Sequence, residues 1–137
     1  MKRYLILISV FILLGSCTKN EKNEINIYSK RHYEVDKLQY KKFEEKTGIK
    51  VNVVKAGDDE LLERLKNEGS NSPADLYVTV DAGKLQKGVE MGLFQKILND
   101  KIDANVKSEL KDPNKYWIPI TYRARLVVYS KDRVSLN

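Results

Sequence analysis

Cysteine and histidine are nearly absent from this sequence of 137 residues, which contains one of each. A lone cysteine excludes a disulfide within the chain, and it also excludes a zinc site built on paired cysteines. The sequence shows no nucleophile with a plausible base and no glycine-rich loop that would hold a phosphate. These absences argue against an enzyme and favour a binding function.

Long apolar runs are also lacking. The longest extends over the eleven residues from Tyr4 to Leu14, and as a helix it would span roughly 16 Å, about half the hydrocarbon core of a bilayer. Lys2 and Arg3 precede this run and small residues follow it, which is the order of an export signal. The run is therefore interpreted as a signal and not as a membrane span.

The segment Leu-Gly-Ser-Cys that ends at Cys17 resembles the bacterial lipobox, which implies cleavage before Cys17 and attachment of lipid to it. We expect residues 1–16 to be a lipoprotein signal peptide and 17–24 to be a polar tether on the periplasmic or outer side of a bacterial membrane. Residues 25–137 then form one partial domain. The alternative is a secretory signal cut at Ser16, with an incidental thiol.

Positive charge is in modest excess, with a formal net charge of +6. Lysines are interleaved with acidic residues, as in Lys41-Lys42-Phe43-Glu44-Glu45-Lys46, and this pattern is typical of a solvated helix face. Because the charge is diffuse, nucleic acid is not expected to be a partner.

Strand and helix patterns alternate three times after residue 24. Apolar residues at every second position indicate a strand, and apolar residues three or four positions apart indicate a helix. Glycines stand where the predicted helices end. The predicted elements are strand 25–28, helix 34–46, a strand through Ile49, Val51 and Val53, a helix capped by Asp58 and ended by Gly69, strand 75–80, and a helix capped by Asp81 that lies before Gly92. This order predicts an α/β fold, a parallel sheet with helices on both faces.

The loops that follow the three strands should open on one edge of such a sheet. They carry His32 with Tyr33, the turn Ala56-Gly57-Asp58, and Asp81. An imidazole beside a phenol at this edge is a plausible ligand pair for a hard metal cation. The alternatives are an ordinary surface histidine at position 32 and a simple helix cap at Asp81.

Beyond Gly92 the pattern weakens. The expected elements are a helix, a turn and two extended stretches, at 103–110, 112–114, 116–120 and 124–130. Arg123 and Arg125 should share one strand face. A solvated face is the simpler explanation of these two arginines.

Five segments together resemble the amino-terminal part of the ferric-iron-binding proteins that serve bacterial ABC importers. They are Tyr28-Ser29-Lys30-Arg31-His32-Tyr33, Phe43-Glu44-Glu45-Lys46-Thr47-Gly48-Ile49-Lys50-Val51, Glu60-Leu61-Leu62-Glu63-Arg64-Leu65-Lys66-Asn67-Glu68-Gly69, Ser72-Pro73-Ala74-Asp75 and Arg123-Ala124-Arg125. No one of them is decisive, but their order and spacing carry the resemblance over essentially all of residues 25–134.

The resemblance implies a two-lobed receptor that holds Fe3+ between its lobes and presents it to permease subunits. His32 and Tyr33 match iron ligands of the first lobe, and Arg123 matches an arginine that faces the anion or charge near the metal in some relatives. Asp81, at the same sheet edge, is a candidate for a supporting role. Family members are more than twice as long and have further tyrosine ligands in later sequence. We therefore expect an amino-terminal fragment or truncated product, with apolar surface exposed where absent pieces would pack.

The chemistry of ferric ion explains the residue types. Fe3+ favours anionic oxygen, and a phenolate supplies it. A free tyrosine has a pKa near 10, so ionising it at pH 7 costs roughly 4 kcal/mol, which a bound cation offsets.

Two other functions fit parts of the sequence. One is a solute-binding lipoprotein for an oxyanion, a phosphonate or a polyamine, bound at the same edge. The other is an anchored enzyme with His32 as a base, for which no partner residue is visible.

Overall fold

The computed structural model describes residues 23–124, 126–130 and 132–134. The predicted signal peptide, Cys17 and nearly all of the predicted tether lie outside these residues, as does Arg125. None of the described helices combines the length and the apolar content needed to cross a bilayer.

The chain divides into two compact units. Of the described residues, the first unit contains 23–61 together with Asn71–Val80, and the second contains Leu62–Ser70 together with the described residues from Asp81 onward.

The first unit contains a parallel sheet of three strands in the order β2-β1-β3. These strands are β1 (Glu24–Ser29), β2 (Lys50–Lys55) and β3 (Leu76–Val78). Ser29 pairs with Lys55 on one side and with Val78 on the other, so the carboxyl ends of all three strands reach one edge. The predicted α/β fold with a parallel sheet is confirmed. Two predicted limits are wrong, because β1 already begins at Glu24, inside the expected tether, and β3 is shorter than 75–80.

The central strand β1 supplies most of the core of this unit. Ile27, Tyr28 and Ser29 are 4%, 1% and 1% exposed, and Leu61 is completely buried. Since consecutive strand residues point to opposite faces, both faces of β1 are covered at its carboxyl end. A fully buried side chain of the size of leucine contributes about 1.5–3 kcal/mol.

Helix α1 (Glu34–Thr47) lies against β2 and turns a polar face toward the sheet. Asp36, Tyr40 and Glu44 are its less exposed members, spaced four residues apart and therefore on one side. The Glu44 carboxylate accepts a hydrogen bond from the backbone N–H of Val51 in β2 at 2.7 Å. Polar contacts therefore attach this helix to the sheet.

The apolar residues on which the prediction of α1 rests do not lie on the side of the helix that faces the sheet. Val35, Leu38 and Phe43 are 52%, 59% and 38% exposed, and none of the fourteen residues of the helix is buried. This is exposed apolar surface of the kind expected from the sequence. The predicted helix end is confirmed at Gly48, whose φ of 71° is a left-handed conformation that glycine adopts readily.

Helix α2 (Asp58–Glu68) begins one residue earlier than predicted. The carbonyl of Gly57 accepts the N–H of Leu61 at 2.9 Å, which makes Asp58 the first helical residue and not the cap. The Asp58 carboxylate instead accepts a hydrogen bond from the Tyr77 hydroxyl at 2.7 Å. The prediction that Asp58 acts simply as a cap is therefore wrong.

In the second unit, helix α3 (Ala82–Glu90) follows the predicted cap. The Asp81 carboxylate accepts the N–H of Gly83 at 2.8 Å, which confirms that prediction. Gly88 is buried, and a Cβ atom there would overlap the ring of Phe94 and lie 3.2 Å from Leu62. The absence of a side chain at position 88 is therefore what lets Phe94 approach α3.

The remainder of the second unit differs from the prediction. Helix α4 (Asp100–Asn105) starts after Asn99, and a short 3-10 turn covers Ser108–Leu110, so a single helix over 103–110 is wrong. Asp112 accepts the N–H groups of Asn114 and Tyr116 and forms the predicted turn.

The two extended stretches form no strand within the described residues beyond 115. Leu126, Val127 and Val128 are 80%, 99% and 86% exposed. Val127 and Val128 favour strands, but no described residue pairs with them in a sheet, and all three side chains add to the exposed apolar surface.

Asp81→Ala is expected to lower the free energy of unfolding by about 1 kcal/mol, because it removes the acceptor that satisfies the N–H of Gly83. Urea unfolding followed by circular dichroism measures this. Asp81→Asn is the matched control and should be close to neutral, since asparagine caps as well as aspartate. Equal losses in both variants would contradict a capping role.

Candidate metal centre

The candidate site is the connection from β1 to α1. The N–H of Lys30 donates to the Val78 carbonyl at 2.9 Å, which continues the ladder toward β3, and the N–H of Asp36 donates to the Tyr33 carbonyl at 3.1 Å. Three residues, Arg31, His32 and Tyr33, therefore join an anchored strand to an anchored helix at the edge where the parallel strands end.

His32 and Tyr33 are brought together there. Their ring centroids are 5.4 Å apart and the ring planes differ by 25°, a stacked pair. Both side chains are exposed, Tyr33 by 40%. A nitrogen donor and a phenol oxygen thus lie side by side and in reach of a cation from solvent.

Arg31 lies beside this pair and is itself 7% exposed. Its guanidinium carbon is 5.0 Å from the centroid of the Tyr33 ring, within the range of a cation–π contact. Nε and Nη2 of Arg31 donate to the two carboxylate oxygens of Asp36 at 3.0 and 2.7 Å. Two parallel hydrogen bonds of this kind fix the guanidinium in one orientation.

Further contacts surround this ion pair. The Ser29 hydroxyl accepts the N–H of Arg31 at 3.1 Å. Burial raises the pKa of the Tyr40 phenol and the charge of Asp36 raises it further, while Arg31 and a hydrogen bond with Ser29 lower it. The hydrogen bond from Arg31 to Asp36 raises the pKa of the guanidinium, which stays charged. The polar face of α1 and the end of β1 therefore form one connected network.

The turn after β2 lies at the same edge of the sheet, because Lys55 pairs with Ser29. Asp58 in this turn binds the hydroxyl of Tyr77 in β3. Burial, and then the hydrogen bond to Asp58, raise the pKa of Tyr77 well above its ordinary value, so this phenol stays neutral and acts as a donor.

Three tyrosines, Tyr28, Tyr40 and Tyr77, were predicted to be packing residues. Tyr28 packs in the core at 1% exposure, as expected. Tyr40 and Tyr77 also use their hydroxyls, which the apolar pattern of the sequence does not reveal.

Asp81 and Arg123 belong to the second unit. Asp81 caps α3, and Arg123 is exposed. Their expected places beside a metal stay predictions. Across the residues that the structure describes, no group of three or more His, Cys, Asp and Glu side chains is arranged to hold a metal ion.

Sequence reasoning missed the pairing of Arg31 with Asp36. The available signal was an arginine directly before the two donor residues and an aspartate in the first turn of the next helix. Acidic residues in a first turn are common because they favour the helix dipole, so the signal was not specific.

In an open parallel α/β sheet, ligands bind at the carboxyl ends of the strands, which is where these exposed donors lie. Residues 28–136 match the family of bacterial extracellular solute-binding proteins. The chain belongs to this family.

Several relatives of this chain carry iron in their names or titles. The chain is 46% identical over 132 residues to iron uptake protein A1 of Synechocystis, a match that covers 89% of this chain and 37% of that protein. It resembles the structure of apo FutA2 from Synechocystis, with a TM-score of 0.75 and 40% identity over 84% of this chain and 35% of that one. It also resembles the Trichodesmium protein FutA in complex with iron and citrate ligands, with a TM-score of 0.67 and 44% identity over 69% and 30% of the two chains. The chain spans 37% of the length of iron uptake protein A1 and 31% of the length of a further Synechocystis relative, iron uptake protein A2.

Proposed function

We propose that this chain is the amino-terminal segment of a substrate-binding component for ferric iron uptake by an ABC importer, with His32 and Tyr33 as iron ligands. The observation that carries the proposal is the stacked, exposed pair itself, whose ring centroids are 5.4 Å apart at the carboxyl edge of the parallel sheet. The names of the relatives support iron as the solute, since they include an iron uptake protein and a structure with iron and citrate.

The donor set fits ferric iron better than it fits an oxyanion. A phenolate neutralises part of the charge of Fe3+, and the imidazole adds a neutral nitrogen. An anion would instead need N–H donors or cations aimed at it, whereas Arg31, the cation that contacts the Tyr33 ring, directs two of its N–H groups to Asp36.

Two donors do not complete the coordination of a ferric ion. We therefore expect this chain to bind iron weakly, and we expect further ligands in the sequence by which the relatives exceed it. Export, a lipid on Cys17 that holds the protein at the membrane, and delivery to permease subunits belong to the same proposal. The family of extracellular solute-binding proteins supports a location outside the cytoplasmic membrane.

Tyr33→Phe is expected to abolish the visible absorption that a tyrosinate bound to Fe3+ produces. The probe is ferric nitrilotriacetate, whose chelator supplies four donors and leaves two positions for the protein. Titration of the wild-type chain should give this band with weak affinity. His32→Ala should keep the band and weaken binding by at least about tenfold, the lower limit for losing even an outer partner of a ligand.

Tyr122→Phe is the matched control, because Tyr122 is an 80% exposed tyrosine, and it should change nothing. A tight, stoichiometric band with this chain alone would contradict the expectation of two ligands. Calorimetric binding of sulfate or phosphate that survives Tyr33→Phe, with no iron band in the wild type, would identify an oxyanion receptor instead.

A further inference from the structure

We propose that Arg31 and Asp36 form a positioning platform that holds the Tyr33 phenol in the orientation required to bind iron. The inference rests on the proposed function of Tyr33 as an iron ligand. It adds a role for two residues that do not themselves bind the metal.

The platform is rigid because it is largely shielded from solvent and doubly bonded. Arg31 is 7% exposed and Asp36 is 14% exposed, and their Nη2 and Oδ1 atoms are 2.7 Å apart. The other pair, Nε and Oδ2, is 3.0 Å apart. A planar guanidinium held by two bonds cannot rotate without breaking both of them.

The Tyr33 ring rests on this fixed plane. Its centroid is 5.0 Å from the guanidinium carbon of Arg31, and the ring also stacks on His32. With two planar neighbours the ring has little freedom of rotation, while 40% of the side chain stays exposed. Orientation of a ligand before the ion arrives lowers the entropy lost on binding.

The charges of the platform also suit a trivalent cation. An isolated arginine beside the site would repel Fe3+, but Asp36 neutralises the guanidinium at hydrogen-bond distance. The positive end of the pair faces the ring and stabilises electron density on the phenolate.

A purely structural role for the ion pair is the competing explanation, and the structure makes it testable. Helix α1 has other attachments to the sheet, from Glu44 to the backbone of Val51 and from Tyr40 to Ser29. Replacing a buried ion pair by apolar residues of similar volume often leaves a protein as stable as before. The double variant Arg31→Met with Asp36→Leu should therefore fold and lack only the platform.

The test is titration of the full chain with ferric nitrilotriacetate, followed by visible absorption. We expect the double variant to bind about 10- to 100-fold more weakly than wild type, the usual loss when the partner of a metal ligand is removed. The tyrosinate-to-iron band should also move to longer wavelength, because loss of the cation raises the energy of the phenolate electrons. A purely structural role would not shift this band.

Asp36→Asn extends the test, because it leaves the arginine charge without its counter-ion and should weaken binding at least as much. Glu45→Gln is the matched control, since Glu45 forms an exposed ion pair with Lys41 at 3.8 Å on the same helix, and it should alter neither affinity nor wavelength. A wild-type chain without the band overturns the proposed function itself. A folded double variant with the affinity and band of the wild type overturns the platform alone.

Discussion

Leu61→Ala is expected to lower the free energy of unfolding by about 3 kcal/mol, within the range measured for buried leucines replaced by alanine. The Leu61 side chain is completely buried, so its removal leaves a cavity as well as losing the free energy of transfer from water. The loss is a large fraction of the 5–15 kcal/mol that is typical of a folded domain. Urea unfolding of the wild type and the variant measures the difference, provided that the free energy of unfolding depends on urea concentration with the same slope in both.

Leu38→Ala is the matched control for Leu61→Ala. Leu38 is also a helical leucine, but it is 59% exposed, so its replacement should change stability by no more than about 0.5 kcal/mol. A large loss at Leu38 would show that the apolar side of α1 is covered and that its polar side does not face the sheet.

Gly88→Ala is expected to destabilise the protein by about 2 kcal/mol, although alanine is the better helix former by about 1 kcal/mol. The new methyl group would overlap the Phe94 ring and approach Leu62 within 3.2 Å, and overpacking of this kind costs about 1–3 kcal/mol. Thermal unfolding followed by circular dichroism gives the sign of the change, and urea unfolding gives its size.

The contact with Phe94 is tested by a double-mutant cycle. In a Phe94→Leu background the ring is gone, so Gly88→Ala should cost clearly less than in the wild type. If Gly88→Ala lowered the free energy of unfolding equally in both backgrounds, the Phe94 ring would not be the source of the strain.

The parallel sheet was predictable because the alternation of strands and helices along the chain depends on local patterns. Ile25 and Ile27 in β1, and Val51 and Val53 in β2, alternate with polar residues, and three strands separated by helices leave a parallel sheet as the consistent topology. The exposed donor pair followed from the same topology, because a loop after a strand must open at the carboxyl edge.

The orientation of α1 was not predictable from its own residues. Its sheet-facing side is set by partners in other elements, the guanidinium of Arg31 and the N–H of Val51. Apolar periodicity assumes that hydrophobic burial decides the face, whereas here polar contacts decide it. The same reason applies to Asp58, whose partner Tyr77 is distant in sequence.

Beyond residue 92 the local signals were misjudged for two reasons. The Asn99 side chain accepts the N–H groups of Lys101 and Ile102, so α4 begins earlier than its apolar residues suggest. Val127 and Val128 are β-branched residues of the kind found in strands. A strand needs a neighbour, however, and β-propensity reports the fit to a sheet more than a preference of the backbone.

One peptide bond joins His32 to Tyr33, and this adjacency governs how the two would exchange an ion. Once one of the two side chains has bound an ion, the other lies near that ion at an effective concentration of about millimolar or more, as for any short linker. The second side chain would then bind the same ion quickly, and a side chain that dissociates would quickly bind again. If the pair binds an ion as proposed, release requires both side chains to dissociate before either of them binds again.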